Sequence, residues 1–115
     1  MTDIAEGVSF NTVAREWRCK WSPDCDKASL VSAQKALDSV LADVKAINGV
    51  QRVDRVVCGG CLDFKVVTSL SVEEFGKWEE SKFEPEASFL EKLKAIDGIS
   101  HVETQTYTVS LIFQS

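Results

Sequence analysis

The chain has 115 residues and a formal net charge of −5 at pH 7, with 44% hydrophobic and 27% charged residues. This length suits one domain with a single hydrophobic core. Nucleic-acid binding needs a basic surface, whereas the thirteen Lys and Arg residues here are scattered over an acidic chain, so we expect no nucleic-acid partner. No run approaches the roughly 18 apolar residues of a membrane span, and residues 1–12 lack the apolar stretch of a secretory signal. We therefore expect a cytoplasmic protein with no membrane partner.

The hydrophobic pattern predicts strands and helices behind a flexible N-terminal segment, residues 1–12. Strands place apolar residues at every second position, and helices place them at every third or fourth. Val13, Trp17 and Cys19, for example, share one predicted strand face with Arg15. The predicted elements of the single domain, residues 13–115, are a strand over 13–21, a helix over 27–47, strands over 50–58 and 61–70, a helical region over 72–96 and a strand over 101–113.

A β-hairpin is predicted around a pair of glycines. Gly59 and Gly60 suit a two-residue turn in which the backbone takes positive φ. Such a turn would pair Val57 with Leu62. One extra residue in the turn would exchange the faces of the strands, because side chains alternate along a strand.

The helices carry start and stop signals. Asp24 or Asp26 can cap the first helix, and Ser71 followed by Glu74 has the spacing of a capping box. Pro85 predicts a break in the second helical region, because proline cannot donate the backbone hydrogen bond that a helix interior needs.

Two stretches repeat at a constant offset of 49 residues. Residues 41–54 and 90–103 agree at six of fourteen positions, which include the glycines Gly49 and Gly98. Each copy reads as an amphipathic helix that ends on glycine, where the left-handed conformation closes a helix, and a β-branched residue then begins a strand. The repeat therefore predicts a duplicated β-α-β unit.

The order β-α-β-β-α-β is typical of the ferredoxin-like α+β fold. This fold class has a four-stranded antiparallel sheet with two helical regions on one face. The last predicted strand is apolar on both sides near its end, with Val109, Leu111 and Phe113 on one side and Ile112 on the other. We therefore expect a second copy of the chain to cover the open face, giving a homodimer or higher assembly of the dimeric α+β barrel type.

Three short motifs resemble the effector-binding domain of the Lrp/AsnC transcription regulators. They are Ile-Asn-Gly-Val at 47–50, Gly-Cys-Leu-Asp-Phe at 60–64, and Ile-Asp-Gly-Ile at 96–99 followed by Val-Glu-Thr at 102–104. Only about twelve residues precede the first predicted strand, so we expect neither the family's helix-turn-helix nor DNA binding of that kind. The resemblance implies a stand-alone sensing module for an amino acid or similar small molecule. It places the ligand at Gly60, Asp63 and Thr104, with no cofactor and no metal.

Cys58-Gly-Gly-Cys61 is the sharpest local motif. A CxxC pair can be a redox site or half of a zinc site. The residues after Cys61 read as strand, so the helix dipole that activates thioredoxin-like thiols is missing. A four-cysteine zinc site would also need Cys19 and Cys25. Structural or incidental cysteines are favoured, with Cys58 and Cys61 kept as the alternative redox or metal site.

No catalytic set can be assembled from the sequence, so the catalytic residues stay unknown. His101 is the only histidine and reads as a solvated residue at the start of a strand. The aromatic residues read mainly as core, although they could line a pocket. Three functions therefore stay open: a small-molecule-binding or regulatory module, a thiol or zinc protein, and a small dimeric α+β barrel enzyme such as a monooxygenase or isomerase.

Overall fold

A computed structural model describes residues 2–115 as a four-stranded antiparallel sheet with three helices packed on one face. The elements are β1 Thr2–Ala5, β2 Val8–Phe10, β3 Thr12–Lys20, α1 Asp24–Lys45, β4 Val50–Val57, β5 Asp63–Ser71, α2 Val72–Glu80, α3 Glu86–Lys94 and β6 Ser100–Val109. The strand order β4-β5-β3-β6 is that of the ferredoxin-like fold, as the sequence predicted.

The central strand β3 has the predicted alternation. Val13, Trp17 and Cys19 are buried against the helices. Neighbouring positions point to the other face because side chains alternate along a strand. β3 pairs with both β5 and β6 along its length, so a residue on β3 has neighbours from two strands at the same level.

The 49-residue repeat marks the two places where a helix turns into a strand. Gly49 and Gly98 both take positive φ, +85° and +93°. Equivalent backbone hydrogen bonds close the two turns, from the Val50 amide to the Ile47 carbonyl at 3.2 Å and from Ile99 to Ile96 at 3.3 Å. The repeat therefore records the scaffold, as predicted.

The β4–β5 hairpin differs from the predicted register by two residues. Val57 lies opposite Phe64 rather than Leu62, and the loop is closed by a hydrogen bond from the Cys58 amide to the Asp63 carbonyl at 3.0 Å. The positive φ of the loop falls on Leu62, not on the two glycines. A shift of two residues keeps each side chain on its predicted face, because the pattern repeats every second residue.

The predicted caps are confirmed in one position and wrong in their hydrogen bonds. Ser71 is the N-cap of α2, as predicted, but its side chain makes no cap bond, and Glu74 instead accepts a hydrogen bond from the Asn48 side chain at 3.3 Å. Pro23 is the N-cap of α1, and neither Asp24 nor Asp26 caps it. The predicted break at Pro85 is confirmed, since α2 ends before it and α3 begins after it.

The elements at both ends differ from those predicted. Residues 2–10 contain the antiparallel hairpin β1–β2, where the sequence predicted no strand, and the flexibility of this segment stays a prediction. At the other end β6 stops at Val109, so Leu111, Ile112 and Phe113 lie beyond the strand and are exposed. None of the helices described in residues 2–115 is long and apolar enough to cross a membrane.

The open face of the sheet is polar rather than apolar. Glu16 is buried there, accepts a hydrogen bond from the Tyr107 hydroxyl at 3.1 Å, and lies 3.6 Å from the Arg18 guanidinium. Burial and the Glu16 carboxylate raise the pKa of Tyr107 to about 12. Of the apolar residues that suggested a covered open face, Val109 ends β6 opposite Thr12 on that face, whereas Leu111, Ile112 and Phe113 follow the strand and are not part of the sheet.

Candidate functional site

A row of polar side chains crosses the sheet on the face covered by the helices. Arg15 on β3 lies in register between Thr68 on β5 and Thr106 on β6. Its Nη1 donates to Thr106 Oγ1 at 2.9 Å. Thr68 is 1% exposed, and its hydroxyl has no hydrogen-bond partner among residues 2–115. Polar groups buried in a sheet–helix layer are costly unless they are paired, so this row calls for an explanation beyond packing.

Glu86, the first residue of α3, lies over this row and binds Arg15. Arg15 Nε and Nη2 donate to the two carboxylate oxygens at 2.8 and 3.3 Å, a bidentate arrangement. The Trp17 indole donates to the same Glu86 Oε1 at 2.8 Å. We call Arg15, Trp17, Thr68, Glu86 and Thr106 the Arg15 cluster. Its core is a carboxylate held by three N–H donors in a largely buried position.

Aromatic rings surround the Arg15 cluster. The Trp17 ring packs against Phe89 and Trp78, with centroids 5.2 and 6.3 Å apart. Phe83 lies over the guanidinium of Arg15, 4.1 Å from its carbon to the ring centroid, which is cation–π distance. These rings lower the local polarity and so strengthen electrostatic interactions with Arg15.

The connection between α2 and α3, residues 81–85, carries Phe83 and leads directly to Glu86. Lys82 and Phe83 both take positive φ, 60° and 59°, which non-glycine residues rarely adopt. The Trp78 indole holds the connection by donating to the Glu84 carbonyl at 2.9 Å. Backbone strain of this kind concentrates at functional sites and at segments that switch conformation.

A recess of about 480 Å³ opens to the surface beside this connection. Its lining includes Ile47, Trp78, Glu84 and Pro85. Trp78 lines the recess and also packs against Trp17, so this side chain lies between the recess and the Arg15 cluster.

The residues that the Lrp/AsnC resemblance suggested for ligand binding do not form one site. Gly60 is exposed in the hairpin loop, and Asp63 begins β5. Thr104 lies opposite Trp17 on β6 and faces the helices, whereas Asp63 lies opposite Lys20 on the open face. The sheet itself separates Thr104 from Asp63.

Asp63 forms ion pairs rather than an open binding group. Lys20 Nζ lies 2.6 Å from Asp63 Oδ1, and Lys65 lies 4.0 Å from Oδ2. The contact with Lys20 is the main cause that holds the pKa of the Asp63 carboxyl below its usual range. Lys20 also donates to the Cys61 carbonyl at 2.8 Å, so this ion pair fixes the hairpin loop to β3.

Cys58 and Cys61 form a disulfide across the hairpin loop, with their Cα atoms 5.6 Å apart. Cys19 is buried in the core and Cys25 is exposed near the start of α1. Residues 2–115 contain no group of three His, Cys, Asp or Glu side chains placed to hold a metal ion. The four cysteines are therefore not arranged as the zinc site that the sequence left open.

Sequence reasoning missed the Arg15 cluster, although one signal for it was present. Arg15 is a charged residue on a strand face otherwise made of Val13, Trp17 and Cys19. That pattern predicts a buried charge, which needs a partner. The partner Glu86 is 71 residues away in the chain, so no local pattern points to it.

The fold defines a small ferredoxin-like α+β protein, and solved structures of low sequence identity share it. A dimeric ferredoxin-like protein from an uncultured marine organism has a TM-score of 0.61 and 18% identity over 91% of this chain and 93% of its own. SnoaB from Streptomyces nogalater, a cofactor-independent oxygenase solved as a point mutant, has a TM-score of 0.61 and 12% identity over 91% and 99%. Rv0793 from Mycobacterium tuberculosis has a TM-score of 0.56 and 13% identity over 90% and 98%.

These likenesses show the fold alone, because the identities are so low. No protein-family model matches the sequence. No curated protein sequence matches it either. Any activity must therefore be argued from the residues of this chain.

Proposed function

We propose that this chain binds a small, planar compound carrying a carboxylate or enolate oxygen, and that the compound's anionic group binds Arg15 between the sheet and the helices. One observation carries the proposal. Arg15 already holds a carboxylate, that of Glu86, in bidentate geometry with the Trp17 indole as a third donor. The Glu86 side chain thus stands in for the anionic group of a ligand.

The surroundings of Arg15 support a planar ligand. Trp17, Trp78, Phe83 and Phe89 provide aromatic surfaces, which stack favourably on flat, conjugated molecules. The hydroxyl of Thr68 makes no hydrogen bond within the described part of the chain, so it can accept or donate one to a ligand. The proposal requires residues 81–86 to move away from Arg15, towards the recess lined by Trp78, Glu84 and Pro85, before a ligand can enter.

A second candidate function is oxygenation of such a compound without a cofactor. The likeness of the fold to SnoaB makes this reaction class relevant. In the Arg15 cluster, the guanidinium and the Trp17 indole can stabilise an enolate or phenolate oxygen, while the Glu86 carboxylate can accept the proton that its formation releases. Oxygen consumption with a phenolic or 1,3-dicarbonyl compound, lost in Glu86→Gln, would favour this candidate over binding alone.

The amino-acid-sensing function implied by the Lrp/AsnC resemblance has less support than ligand binding at Arg15. It relies on Gly60, Asp63 and Thr104, and Asp63 is engaged by Lys20 on the far side of the sheet from Thr104. The Arg15 cluster offers a better-defined anion site. We also propose, from the sequence, that the chain self-associates and is cytoplasmic. The dimeric protein that shares this fold supports self-association only.

A thermal-shift titration with matched probes tests the binding proposal. We expect 1-naphthoate to raise the melting temperature and 1-naphthamide to have no effect, because only the carboxylate pairs with Arg15. Arg15→Gln should abolish the shift. Arg55→Gln is the matched control, since Arg55 lies on the same face of the sheet but at the edge strand β4. Its side chain hydrogen-bonds only to Gln34 among the residues described.

Glu86→Gln sharpens the same experiment. Removing the competing carboxylate should tighten binding of 1-naphthoate, because Arg15 no longer has an internal anion. Equal shifts for the acid and the amide, or an unchanged shift in Arg15→Gln, would show that Arg15 does not bind the anion and would overturn the proposal.

A further inference from the structure

Hydrogen bonds already close the hairpin loop that the Cys58–Cys61 disulfide spans. The Cys58 amide donates to the Asp63 carbonyl at 3.0 Å, and the Lys20 ammonium donates to the Cys61 carbonyl at 2.8 Å. The two cysteines are only three positions apart in the chain. A cross-link across so short a loop stabilises a fold less than one across a long loop, because it removes less entropy from the unfolded chain. Holding the loop together is therefore a weak reason for this disulfide.

The loop presents the disulfide to solvent. Cys61 is exposed, and Cys58 is half-buried. Gly59 and Gly60 between them carry no side chains, and a Cβ on either glycine would meet no atom within 4 Å. Thiol–disulfide exchange requires such access, because the attacking thiolate must reach one of the two sulfurs. The difference in exposure favours Cys61 as the sulfur that is attacked.

The two sulfurs have different polar neighbours. The Cys61 amide donates a hydrogen bond to Cys58 Sγ at 3.1 Å, and this donor would stabilise negative charge on Cys58 once the disulfide opens. Cys61 Sγ instead lies 3.3 Å from Asp63 Oδ2. Asp63 is ionised at neutral pH, because the contact with Lys20 holds the pKa of its carboxyl below the usual range. A carboxylate repels a thiolate and accepts a hydrogen bond from a thiol. Reduction should therefore leave Cys61 protonated and Cys58 as the thiolate.

We propose that Cys58 and Cys61 form a thiol–disulfide exchange site whose partner is a dithiol. One thiolate of the dithiol bonds to Cys61 Sγ, the Cys58–Cys61 bond breaks, and Cys58 Sγ leaves with the electron pair. The sulfur that is better stabilised as a thiolate leaves faster, which is why Cys58 is the leaving group. The second thiolate of the dithiol then displaces Cys61 Sγ from the mixed disulfide, and Cys61 takes up a proton. The dithiol is oxidised to a disulfide, and the cysteine pair gains two electrons.

The exchange site is separate from the Arg15 cluster. Asp63 lies opposite Lys20 on the open face of the sheet, whereas Arg15 lies on the face covered by the helices. Disulfides are rare in the cytoplasm, the location proposed for this chain, and those that form there are usually transient and serve catalysis or redox sensing. The exchange site therefore adds a redox activity to the proposed function and does not depend on ligand binding at Arg15.

Partial reduction identifies the attacked sulfur. The oxidised Cys25→Ser protein, in which the remaining free cysteine, Cys19, is buried, is mixed with glutathione and quenched with N-ethylmaleimide. We expect tandem mass spectrometry to find glutathione on Cys61 and maleimide on Cys58. Glutathione mainly on Cys58 would overturn the proposed exchange. So would a disulfide that excess dithiothreitol reduces only in urea, or one that oxidised glutathione does not form again.

The reactivity of each thiol provides the second test. In the reduced Cys25→Ser background, Cys61→Ser leaves Cys58 as the accessible thiol, and Cys58→Ser leaves Cys61. At pH 7 we expect Cys58 to react with iodoacetamide about tenfold faster than Cys61, because only the thiolate reacts. Equal rates would show that the two sulfurs do not differ as proposed.

A charge variant separates this chemistry from a merely structural role of Asp63. Asp63→Asn should speed the reaction of Cys61 by about tenfold and leave that of Cys58 unchanged, because the nearby carboxylate disfavours the Cys61 thiolate. Asp54→Asn is the matched control, since Asp54 is another carboxylate of the same hairpin and pairs with Arg52 at 2.7 Å. Circular dichroism checks that each variant is folded. An unchanged rate for Cys61 in folded Asp63→Asn would contradict the assigned role of the carboxylate and overturn the proposal.

Discussion

Arg15 and Glu86 form an ion pair between the sheet and the helices. The Arg15 and Glu86 side chains are only 16 and 14% exposed, so both charges have lost much of their hydration. In such pairs the desolvation cost offsets most of the attraction, and net stabilisation is small. Net stability alone therefore does not account for the Arg15 cluster, and the proposed ligand site supplies a reason for it. The same reasoning makes it sensitive, since removing one partner leaves an unpaired buried charge.

The cysteines differ in their chemistry because their environments differ. Burial, with a smaller contribution from the Asp63 carboxylate, raises the pKa of the Cys19 thiol to about 11. Cys25 is exposed. Since the thiolate is the reactive species, we expect Cys25 alone to react with iodoacetamide in the native, oxidised protein at pH 8. Intact mass spectrometry would show one added group.

Two controls make this thiol prediction specific. Cys25→Ser should give no labelling of the native protein, and reduction should add the Cys58 and Cys61 thiols. Labelling of Cys19 in the native state would contradict the assigned core position, because that side chain is 2% exposed. Three labelled cysteines without prior reduction would contradict the disulfide.

At the scale of elements, local signals predicted what local chemistry decides. The glycine after each repeated helix, the alternation of β3 and the break at Pro85 all follow from the conformational limits of a few adjacent residues. The hairpin register does not follow from adjacent residues. Asp63 closes the loop, and hydrogen bonds from Lys20 and Trp21 to residues 61–63 hold it in place. The capping-box hydrogen bonds at Ser71 are also absent, and the Glu74 side chain instead accepts a hydrogen bond from Asn48. These outcomes depend on tertiary contacts that the local sequence does not contain.

Gly49 is the element boundary most sensitive to substitution. Its φ is +85°, and an added Cβ would overlap the side chain of Glu74. We expect Gly49→Ala to lower the free energy of unfolding by about 1–3 kcal/mol, because the left-handed backbone and the close approach both disfavour a side chain. Urea unfolding followed by far-UV circular dichroism measures this change.

The hairpin loop supplies a matched control for Gly49. A Cβ on Gly60 would meet no atom within 4 Å, so Gly60→Ala should change the free energy of unfolding by no more than about 0.5 kcal/mol. If both variants unfold at the same urea concentration, the close approach of Gly49 to α2 is not required for stability.

At the scale of the whole molecule, the candidate site depends on contacts between distant parts of the chain. Thr68, Arg15 and Thr106 come from three strands, and Glu86 comes from a helix. The strand pattern predicted that Arg15 faces the helices, and the fold predicted which strands adjoin β3. The sequence could not predict that residues 81–85 bend so as to bring Glu86 over Arg15. That bend places Lys82 and Phe83 in left-handed conformations that their residue types disfavour.

The buried residues form one continuous core, which makes the molecule a single cooperative unit. Phe89 is fully buried and packs on Trp17, so it joins α3 to the central strand. We expect Phe89→Ala to lower the free energy of unfolding by about 3–5 kcal/mol, the usual cost of removing a core aromatic ring.

Because Trp17, Trp21 and Trp78 all lie in that core, tryptophan fluorescence and far-UV circular dichroism should report the same urea transition in the parent and in Phe89→Ala, at a fixed protein concentration. Val8→Ala, in the exposed N-terminal hairpin, should leave the transition within about 0.5 kcal/mol of the parent. A fluorescence change that precedes the loss of secondary structure would instead show that the helices separate from the sheet in a step of their own, and the Arg15 cluster would then lie at the boundary between two independently unfolding layers.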